Sequence, residues 1–150
     1  MIHINEIMIG NWLEKWVDCK PYPVRVVGIL DDGNILVKDK GEESELPYYI
    51  NAQKLSGITI GKEFLKKNGF TQDSKDGLYW SREVEVLTPE RCSVEISLQN
   101  EDPEYDDFSA RVDVYAGCGG DFRGRETDAN HIHELQNILR VCDVDLELVV

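Results

Sequence analysis

The sequence lacks the features by which metalloproteins, redox proteins and membrane proteins are most readily recognised. No run approaches the ~18 apolar residues of a membrane-spanning helix, and the first residues lack a basic segment followed by an apolar one, so we expect no secretion signal. No two cysteines are spaced as C-x-x-C, which argues against a zinc knuckle or a redox pair. Free thiols in a cytoplasmic protein are the expectation. The cysteines are Cys19, Cys92, Cys118 and Cys142.

Basic residues are scarce relative to acidic ones. The 150 residues include 16 Lys and Arg against 29 Asp and Glu, a net charge of −13. The local net charge is −3 over residues 1–60 and −10 over residues 61–150. Such a surface repels nucleic acid and anionic lipid, so we expect neither direct nucleic-acid binding nor membrane binding. It favours a basic protein partner, although acidic charge also serves solubility alone.

Short β-branched runs dominate residues 1–60. Residues 24–30 and 35–37 flank an Asp-Asp-Gly-Asn turn, which predicts a β-hairpin. Several short strands within sixty residues predict a small β-barrel-like (SH3-like) half. The further strand candidates are residues 7–13, 47–50 and 58–60.

Residues 61–150 combine helical and strand patterns. Residues 61–70 predict a short helix that ends at the left-handed stop Asn68-Gly69. Residues 128–141 predict a long helix capped by Asp128 or Asn130, and the acidic link 99–109 is interpreted as a loop. Residues 146–150 predict a closing strand that pairs within a sheet or with a second subunit. The candidate strands before the long helix are residues 78–80, 84–87, 92–98 and 110–115.

These patterns predict an α+β protein. The β-rich half would comprise residues 1–60, and an antiparallel sheet packed by a short and a long helix would comprise residues 61–150. Apolar and polar residues alternate in the candidate strands of the second half, as in antiparallel strands with one wet face. No Pro/Ser-rich linker divides the halves, so one compact domain is the alternative.

Three segments, taken in order, resemble one family. Residues 7–13 read Ile-Met-Ile-Gly-Asn-Trp-Leu, residues 58–70 contain Ile-Thr-Ile, Glu-Phe-Leu and Gly-Phe, and residues 131–137 read His-Ile-His-Glu-Leu-Gln-Asn. Together they resemble a family of uncharacterised small proteins from Bacteroides-type gut bacteria and their prophages and mobile elements. The resemblance implies a mobile-element origin and a cytoplasmic setting, and it implies no activity or cofactor. The chain departs from the family pattern at Thr59, where proline is usual, and at Gly61, where a threonine cap is usual.

The most unusual stretch is residues 117–125, Gly-Cys-Gly-Gly-Asp-Phe-Arg-Gly-Arg. Its glycines permit close approach by another backbone. Arg123 and Arg125 add local positive charge before a predicted helix N-terminus, where anions can bind. The stretch matches neither the phosphate-loop motif nor the dinucleotide fingerprint, so a plain loop and an anion or partner contact remain the two interpretations.

Two histidines and one cysteine are the main candidates for a reactive or metal site, since the carboxylates of residues 101–107 lack the EF-hand calcium pattern. His131 and His133 would point about 200° apart on a regular helix, so only an irregular helix start would let them share an ion. Cys118 would be a nucleophile only if one of these histidines approached it. We therefore expect no metal and no cofactor. Six aromatic residues could line a binding surface, although core packing explains most of them: Trp12, Trp16, Tyr22, Tyr48, Tyr49 and Trp80.

The leading functional hypothesis is a non-enzymatic binding or regulatory protein of phage or mobile-element origin with a basic protein partner. A sharper version has the acidic surface mimic nucleic acid. One alternative is a small enzyme or metal site built on Cys118 and His131 or His133. Another is a structural or assembly protein that oligomerises through its C-terminal strand. The candidate contact residues of the glycine-rich loop are Cys118, Arg123, Arg125 and His131.

Overall fold

The computed structural model describes residues 2–30, 32–41, 46–72, 78–86, 92–102, 107–115, 122–142 and 144–150. Along these residues the chain forms ten strands in two antiparallel sheets and two α-helices, which confirms the predicted α+β class. Two compact units are present. The first comprises Met1–Thr59, His131–Asn137 and Val150, and the second comprises Ile60–Asn130 and Ile138–Val149.

The sheet of the first unit has the strand order β4-β3-β2-β1-β5, and all neighbouring strands are antiparallel. A 3-10 turn at Ala52–Lys54 joins β4 to β5. Across the described residues β4 and β5 do not pair with each other, so the barrel is not closed. The strands are β1 (Trp12–Val17), β2 (Lys20–Ile29), β3 (Asn34–Asp39), β4 (Tyr48–Asn51) and β5 (Leu55–Gly57).

The predicted hairpin at the Asp-Gly turn is confirmed as β2–β3. Gly33 has φ +84°, a conformation in the left-handed region that glycine adopts without steric cost. The Asp32 carboxylate accepts the backbone N–H of Asn34 at 2.9 Å, which fixes the turn locally. The register then places Ile29 opposite Ile35.

Alternation along β1, β2 and β3 separates two faces of the first sheet. The inner face is apolar, and Leu13 lies directly opposite Val24 while Val26 lies opposite Val37. All four side chains are fully buried, and each contributes roughly 1.5–3 kcal/mol relative to exposure. The residues between them therefore point to the outer face, where the candidate site lies.

Two details of the first unit differ from prediction. The first strand runs over Trp12–Val17, whereas the pattern favoured residues 7–13. Residues 58–60 do not form a strand, because Thr59 makes only an isolated bridge with His131, and β5 ends at Gly57. Gly57 permits this contact, since a Cβ at this position would overlap the imidazole ring of His131. Only glycine lets the histidine pack on this backbone.

The sheet of the second unit has the order β10-β9-β8-β7-β6 and is also antiparallel throughout. The acidic link is shorter than predicted, because β8 continues to Asp102 and β9 begins at Asp107. Most of the stretch that was interpreted as a loop is therefore paired between β8 and β9. The strands are β6 (Thr71–Gln72), β7 (Tyr79–Val86), β8 (Cys92–Asp102), β9 (Asp107–Tyr115) and β10 (Phe122–Asp128).

The short helix is confirmed as α1, Lys62–Lys67. Gly69 has φ +75°, and the N–H of Phe70 donates to the carbonyl of Leu65 at 3.0 Å. Phe70 is buried, so the stop both ends the helix and returns an apolar side chain to the core.

The long helix and the C-terminus differ from prediction. The helix α2 covers Ile132–Val141, and Asp128 is the last residue of β10 instead of a helix cap. The predicted C-terminal strand is wrong, since the described residues 144–150 contain no strand. The Asn68 side chain accepts the N–H of Val149 at 2.7 Å and donates to its carbonyl at 3.0 Å. One amide side chain thus supplies the hydrogen bonds that a neighbouring strand would otherwise make.

Candidate functional site

The structure describes only part of the glycine-rich candidate, residues 117–125. Cys118 lies outside the described residues. Arg123 and Arg125 belong to β10, where they stand opposite Val114 and Val112 of β9. The prediction of a loop through residue 125 is therefore wrong from Phe122 onward, because these residues complete the sheet edge. An anion or partner contact by these arginines stays a prediction.

The two histidine rings lie close together at the start of α2. His131 precedes α2 and is held by its bridge to Thr59, so its ring centroid lies 5.6 Å from that of His133. His131 Nδ1 is 3.2 Å from a Glu134 carboxylate oxygen. His133 is buried, and neither of its ring nitrogens has a hydrogen-bond partner. Burial lowers the pKa of His133, and the nearby carboxylate of Glu134 opposes that shift without reversing it.

No metal site arises from this pair within the part of the chain that the structure describes. No group of three or more His, Cys, Asp or Glu side chains converges there. Two imidazoles without a third ligand do not make a zinc centre. The chemistry of the pair is therefore that of one neutral buried imidazole beside one half-exposed, carboxylate-paired imidazole.

A buried amide network of Asn11, Gln136 and Asn137 connects the start of β1 with the first turns of α2. Asn11 is fully buried, and its amide NH2 donates to Oδ1 of Asn137 at 3.0 Å. The backbone N–H of Trp12 donates to Oε1 of Gln136 at 2.9 Å. Because hydrogen bonds satisfy these buried groups, the network holds the backbone of Trp12 in place.

The network also joins two segments that are far apart in the sequence. Residues 7–13 and residues 131–137 meet there, and Asn137 further donates to the carbonyl of Glu6 at 2.6 Å. These polar side chains point into the unit and contact one another. Their role is therefore to join distant parts of the chain, and the solvent-facing chemistry lies elsewhere.

A groove of about 600 Å³ crosses the outer face of β1, β2 and β3. The register places Trp12 opposite Arg25, and Arg25 opposite Lys38, so one row across three strands contains an aromatic ring and two cations. The Arg25 guanidinium lies 5.8 Å from the Trp12 ring centroid, within cation–π range. Lys40 and Gly41 line the groove where β3 ends.

The groove is locally basic in an acidic protein. Five of the six Lys and Arg residues of residues 1–60 lie on β1, β2 or β3 or directly after them. Among the described residues that line the groove, three carry a positive charge and one, Asp39, carries a carboxylate. They are Arg25, Lys38 and Lys40.

The carboxylate of Asp39 is already engaged. Lys15 Nζ lies 2.7 Å from one oxygen of Asp39, and the Tyr48 hydroxyl donates to the same carboxylate at 2.6 Å. Burial alone would raise the pKa of Asp39, but these two hydrogen bonds and the Lys15 charge hold it below its ordinary value. Burial alone would lower the pKa of Lys15, whereas its bonds to Asp39 and Tyr48 raise it. Asp39 is therefore ionised, and its hydrogen-bond partners are Lys15 and Tyr48, with neither Lys38 nor Lys40 among them.

The turn that joins β1 to β2 carries an exposed apolar group. Residues 16–22, here called the hairpin tip, are all exposed, and Trp16 retains 57% of its accessible surface. The Trp16 indole N–H donates to Ser56 Oγ at 2.9 Å and to Glu14 at 3.2 Å. The ring is thus oriented by hydrogen bonds while its apolar faces remain in solvent. Trp16 lies on the same outer face as Trp12, opposite Pro21.

Comparisons with known proteins give no evidence about the function of this chain. No protein-family model, no curated protein and no solved structure matches the chain. In the part of the chain that the structure describes, no helix is long and apolar enough to cross a membrane.

Sequence reasoning missed the groove although its signal was present. The excess of acid over the whole chain concealed the cluster of basic residues within residues 15–40. Trp12, Glu14 and Trp16 alternate on one strand and therefore share a face, but this follows only once β1 is known to extend to Val17. Because most of the aromatic residues were assigned to the core, Trp12 and Trp16 were not recognised as parts of one surface.

Proposed function

We propose that the protein is a non-enzymatic binding protein whose binding surface is the outer-face groove together with the hairpin tip. The observation that carries the proposal is the row Trp12–Arg25–Lys38, which lines a groove of about 600 Å³ on one rigid sheet. This volume suits a small ligand or a short peptide segment. Trp and Arg are the side chains enriched at binding hot spots.

The surroundings of the groove support recognition rather than catalysis. The guanidinium of Arg25 lies over the Trp12 ring, and Asp39, the one carboxylate among the described lining residues, forms an ion pair with Lys15. Among the described residues that line it there is no histidine, cysteine or serine to act as a nucleophile or a base. A surface that presents fixed charges and fixed rings discriminates ligands by complementarity.

Two finer expectations belong to the same proposal. The return of β5 to pair with β1, across a 3-10 turn after β4, supports an SH3-like arrangement of the first unit. The segments 7–13 and 131–137 support the resemblance to the mobile-element family, and with it a phage-related origin and a cytoplasmic location. We propose both as the setting in which the binding protein acts.

A second candidate function rests on the net charge of −13. In this hypothesis a basic protein partner binds acidic surface outside the groove, with the acid steering association at low salt. The nucleic-acid mimic is its sharper form. The enzyme hypothesis rests on Cys118, which is not described, and the assembly hypothesis rests on a C-terminal strand that is absent from residues 144–150.

Affinity capture from nuclease-treated lysate tests the proposal with matched variants. Wild-type protein, Arg25→Ala and Lys54→Ala would serve as baits, because Lys54 is an exposed cation of the same unit outside the groove. We expect a protein that wild type and Lys54→Ala retain and Arg25→Ala loses. Equal retention by all three baits, or retention by none, contradicts the groove. A basic protein retained equally by all three and lost at high salt would favour the second candidate.

A further inference from the structure

The inner face of the first sheet ends in a second pocket, on the side opposite the outer-face groove. Lys15 lies two residues after the buried Leu13 on β1, so both side chains point to the inner face. The register places Tyr22 opposite Lys15 and Asp39 opposite the buried Val24, so these side chains share that face. The apolar core therefore gives way to polar groups at this end of the sheet. The described residues that line the pocket of about 450 Å³ are Lys15, Val17, Tyr22, Pro23, Asp39 and Lys40.

The polar groups of the pocket belong to a closed triangle of hydrogen bonds among Lys15, Asp39 and Tyr48. Lys15 Nζ donates to Oδ2 of Asp39 at 2.8 Å and to the Tyr48 hydroxyl at 2.6 Å. The hydroxyl in turn donates to Oδ1 of Asp39 at 2.6 Å. Lys15 Nζ also lies 4.8 Å from the Tyr48 ring centroid. Because each group is held by the other two, a ligand meets them already oriented and loses little affinity to their ordering.

The triangle retains hydrogen-bonding capacity toward the pocket. An ammonium group has three N–H donors, and Lys15 uses two of them for Asp39 and Tyr48. A carboxylate has about four acceptor sites, and the same two partners occupy two of those on Asp39. The side chains of Lys15 and Asp39 are 18% and 26% exposed, and both line the pocket. A donor and an acceptor therefore lie side by side at its surface, with Nζ 2.7 Å from Oδ1.

The walls of the pocket are largely apolar. Val17 and Tyr22 are each 45% exposed, and Pro23 follows Tyr22 along β2, while Lys40 completes the lining where β3 ends. The Tyr22 ring offers a face or an edge to an aromatic ring of a ligand. A concave site of about 450 Å³ with apolar walls and a few fixed polar groups is typical of a small-molecule pocket.

The adjacent donor and acceptor select the polar group of the ligand by hydrogen-bond complementarity. A planar carboxamide has a C=O that accepts from Lys15 and an N–H that donates to Asp39. A carboxylate lacks the N–H, and it would place a second negative charge against Asp39. An amine lacks the acceptor, and it would place a second positive charge against Lys15. The carboxamide is therefore the group that uses both sides of the ion pair.

We propose that this pocket binds a small aromatic carboxamide, with its C=O on Lys15, its N–H on Asp39 and its ring against Tyr22 and Val17. The inference goes beyond the proposed binding function, because the pocket is a separate site on the opposite face of the sheet and its ligand is a small molecule. It does not depend on Arg25, so the two sites fail or succeed separately.

Three probes that share one ring test the choice of polar group. Benzamide, benzoate and benzylamine would each be titrated at millimolar concentrations into the isotope-labelled full chain and followed by two-dimensional amide NMR spectra. We expect benzamide to shift the amide signals of Val17, Tyr22 and Lys40. It should bind at least about fivefold more tightly than the other two probes, because each of them loses one charge-assisted hydrogen bond. Benzoate or benzylamine binding as tightly as benzamide, benzamide shifts confined to other residues, or no shift with any probe would overturn the proposal.

Variants test the assignment to the triangle. Lys15→Met keeps the aliphatic stem and removes the donor, so the affinity for benzamide should fall at least about tenfold. Tyr48→Phe keeps the ring and removes the hydroxyl that orients Lys15 and Asp39, so the affinity should fall about threefold or more. Tyr49→Phe is the matched control, because Tyr49 is exposed on the other face of β4, and it should leave the affinity unchanged.

The amide spectrum of each variant shows whether the chain is folded. Unchanged benzamide affinity in a folded Lys15→Met protein would overturn the site, and so would loss of benzamide binding in Arg25→Ala. If Lys15→Met does not fold, the comparison of the three probes on wild type still decides the question.

Discussion

The two ends of β1 invert the usual distribution of polar and apolar side chains. At its start, Asn11 is fully buried and bonded to Asn137, and the amide network holds the strand. At its other end, Trp16 is more than half exposed and only its indole N–H is bonded. The polar side chain of Asn11 forms hydrogen bonds within the chain, whereas the apolar faces of the Trp16 ring at the hairpin tip are not covered by other residues.

This contrast separates structural residues from residues suited to binding. A buried polar group with all its bonds made stabilises one arrangement of the chain, and it costs free energy as soon as a partner is removed. An exposed ring fixed in orientation contributes little to folding, but it offers apolar area to another molecule. Substitutions at the start of β1 should therefore change stability, and substitutions at the tip should change binding.

The largest effect is expected for Asn11→Ala. The change removes the bonds that Asn11 makes to Oδ1 of Asn137 and to the backbone N–H of Met8, both of them partly buried hydrogen bonds, and an unsatisfied group costs up to about 1–3 kcal/mol. We expect the free energy of unfolding, measured by urea titration, to fall by about 2–3 kcal/mol. Gln53→Ala, which truncates an exposed amide of the same unit, should change it by less than about 0.5 kcal/mol. Equal effects of the two variants would refute the structural role of the network.

A second effect is expected where His131 packs against backbone. In Gly57→Ala the new Cβ would overlap the His131 ring, so the ring or the strand must move. We expect a loss of about 1–3 kcal/mol in the free energy of unfolding. Gly61→Ala is the control, because no atom lies within 4 Å of a Cβ at that position, and it should cost less, about 0.5–1 kcal/mol, since alanine is a poorer N-cap of α1 than glycine. A tolerated Gly57→Ala would show that the approach of His131 is not required.

A pH-dependent effect is expected from His133. Its pKa is lowered in the folded state, so the stability that neutral His133 contributes is fully present above the unfolded value of about 6.5. That stability is lost as the pH falls through the folded pKa, at up to about 1.4 kcal/mol per pH unit. The difference in unfolding free energy between wild type and His133→Leu, measured from pH 7.5 to pH 5, should shift against wild type on acidification. A difference that stays constant with pH would contradict the burial of a neutral imidazole.

The smallest effect on stability is expected at the tip. Trp16→Ala removes a ring that is mostly in solvent, so the free energy of unfolding should fall by less than about 1 kcal/mol. Trp80→Ala is the matched control, since Trp80 is buried and its loss should cost about 3–5 kcal/mol. A large loss in Trp16→Ala would mean that the ring serves the fold, which would weaken its assignment to binding.

The parts of the fold that could be predicted have local causes. The turn at Gly33 and the stop at Gly69 depend on the residues that adopt a positive φ, and both were read directly from the sequence. Alternation predicted the antiparallel character of β8 and β9 for the same reason, because a period of two is a property of neighbouring residues.

The errors have causes distant in sequence. Val149 lies in an apolar segment whose residues are typical of a strand. The side chain of Asn68, far away in the sequence, instead forms the hydrogen bonds of its backbone. Residues 122–128 have no clear strand pattern, and pairing with β9 decided their conformation. Of the candidate contact residues, Cys118 lies outside the described residues and Arg123 and Arg125 stay untested. His131 serves mainly as a contact of Gly57 and Glu134.

The sequence by itself determined the α+β class, the antiparallel pairing and the principal turns, because each depends on periodicity or on the steric freedom of single residues. Only the tertiary structure decided which polar residues are internal and which cations converge. Lys38 lies thirteen residues from Arg25 and twenty-six from Trp12, and cross-strand register alone places the three side chains in one row. Net charge is a sum over the whole chain, whereas a binding surface depends on how a few charges are arranged in space.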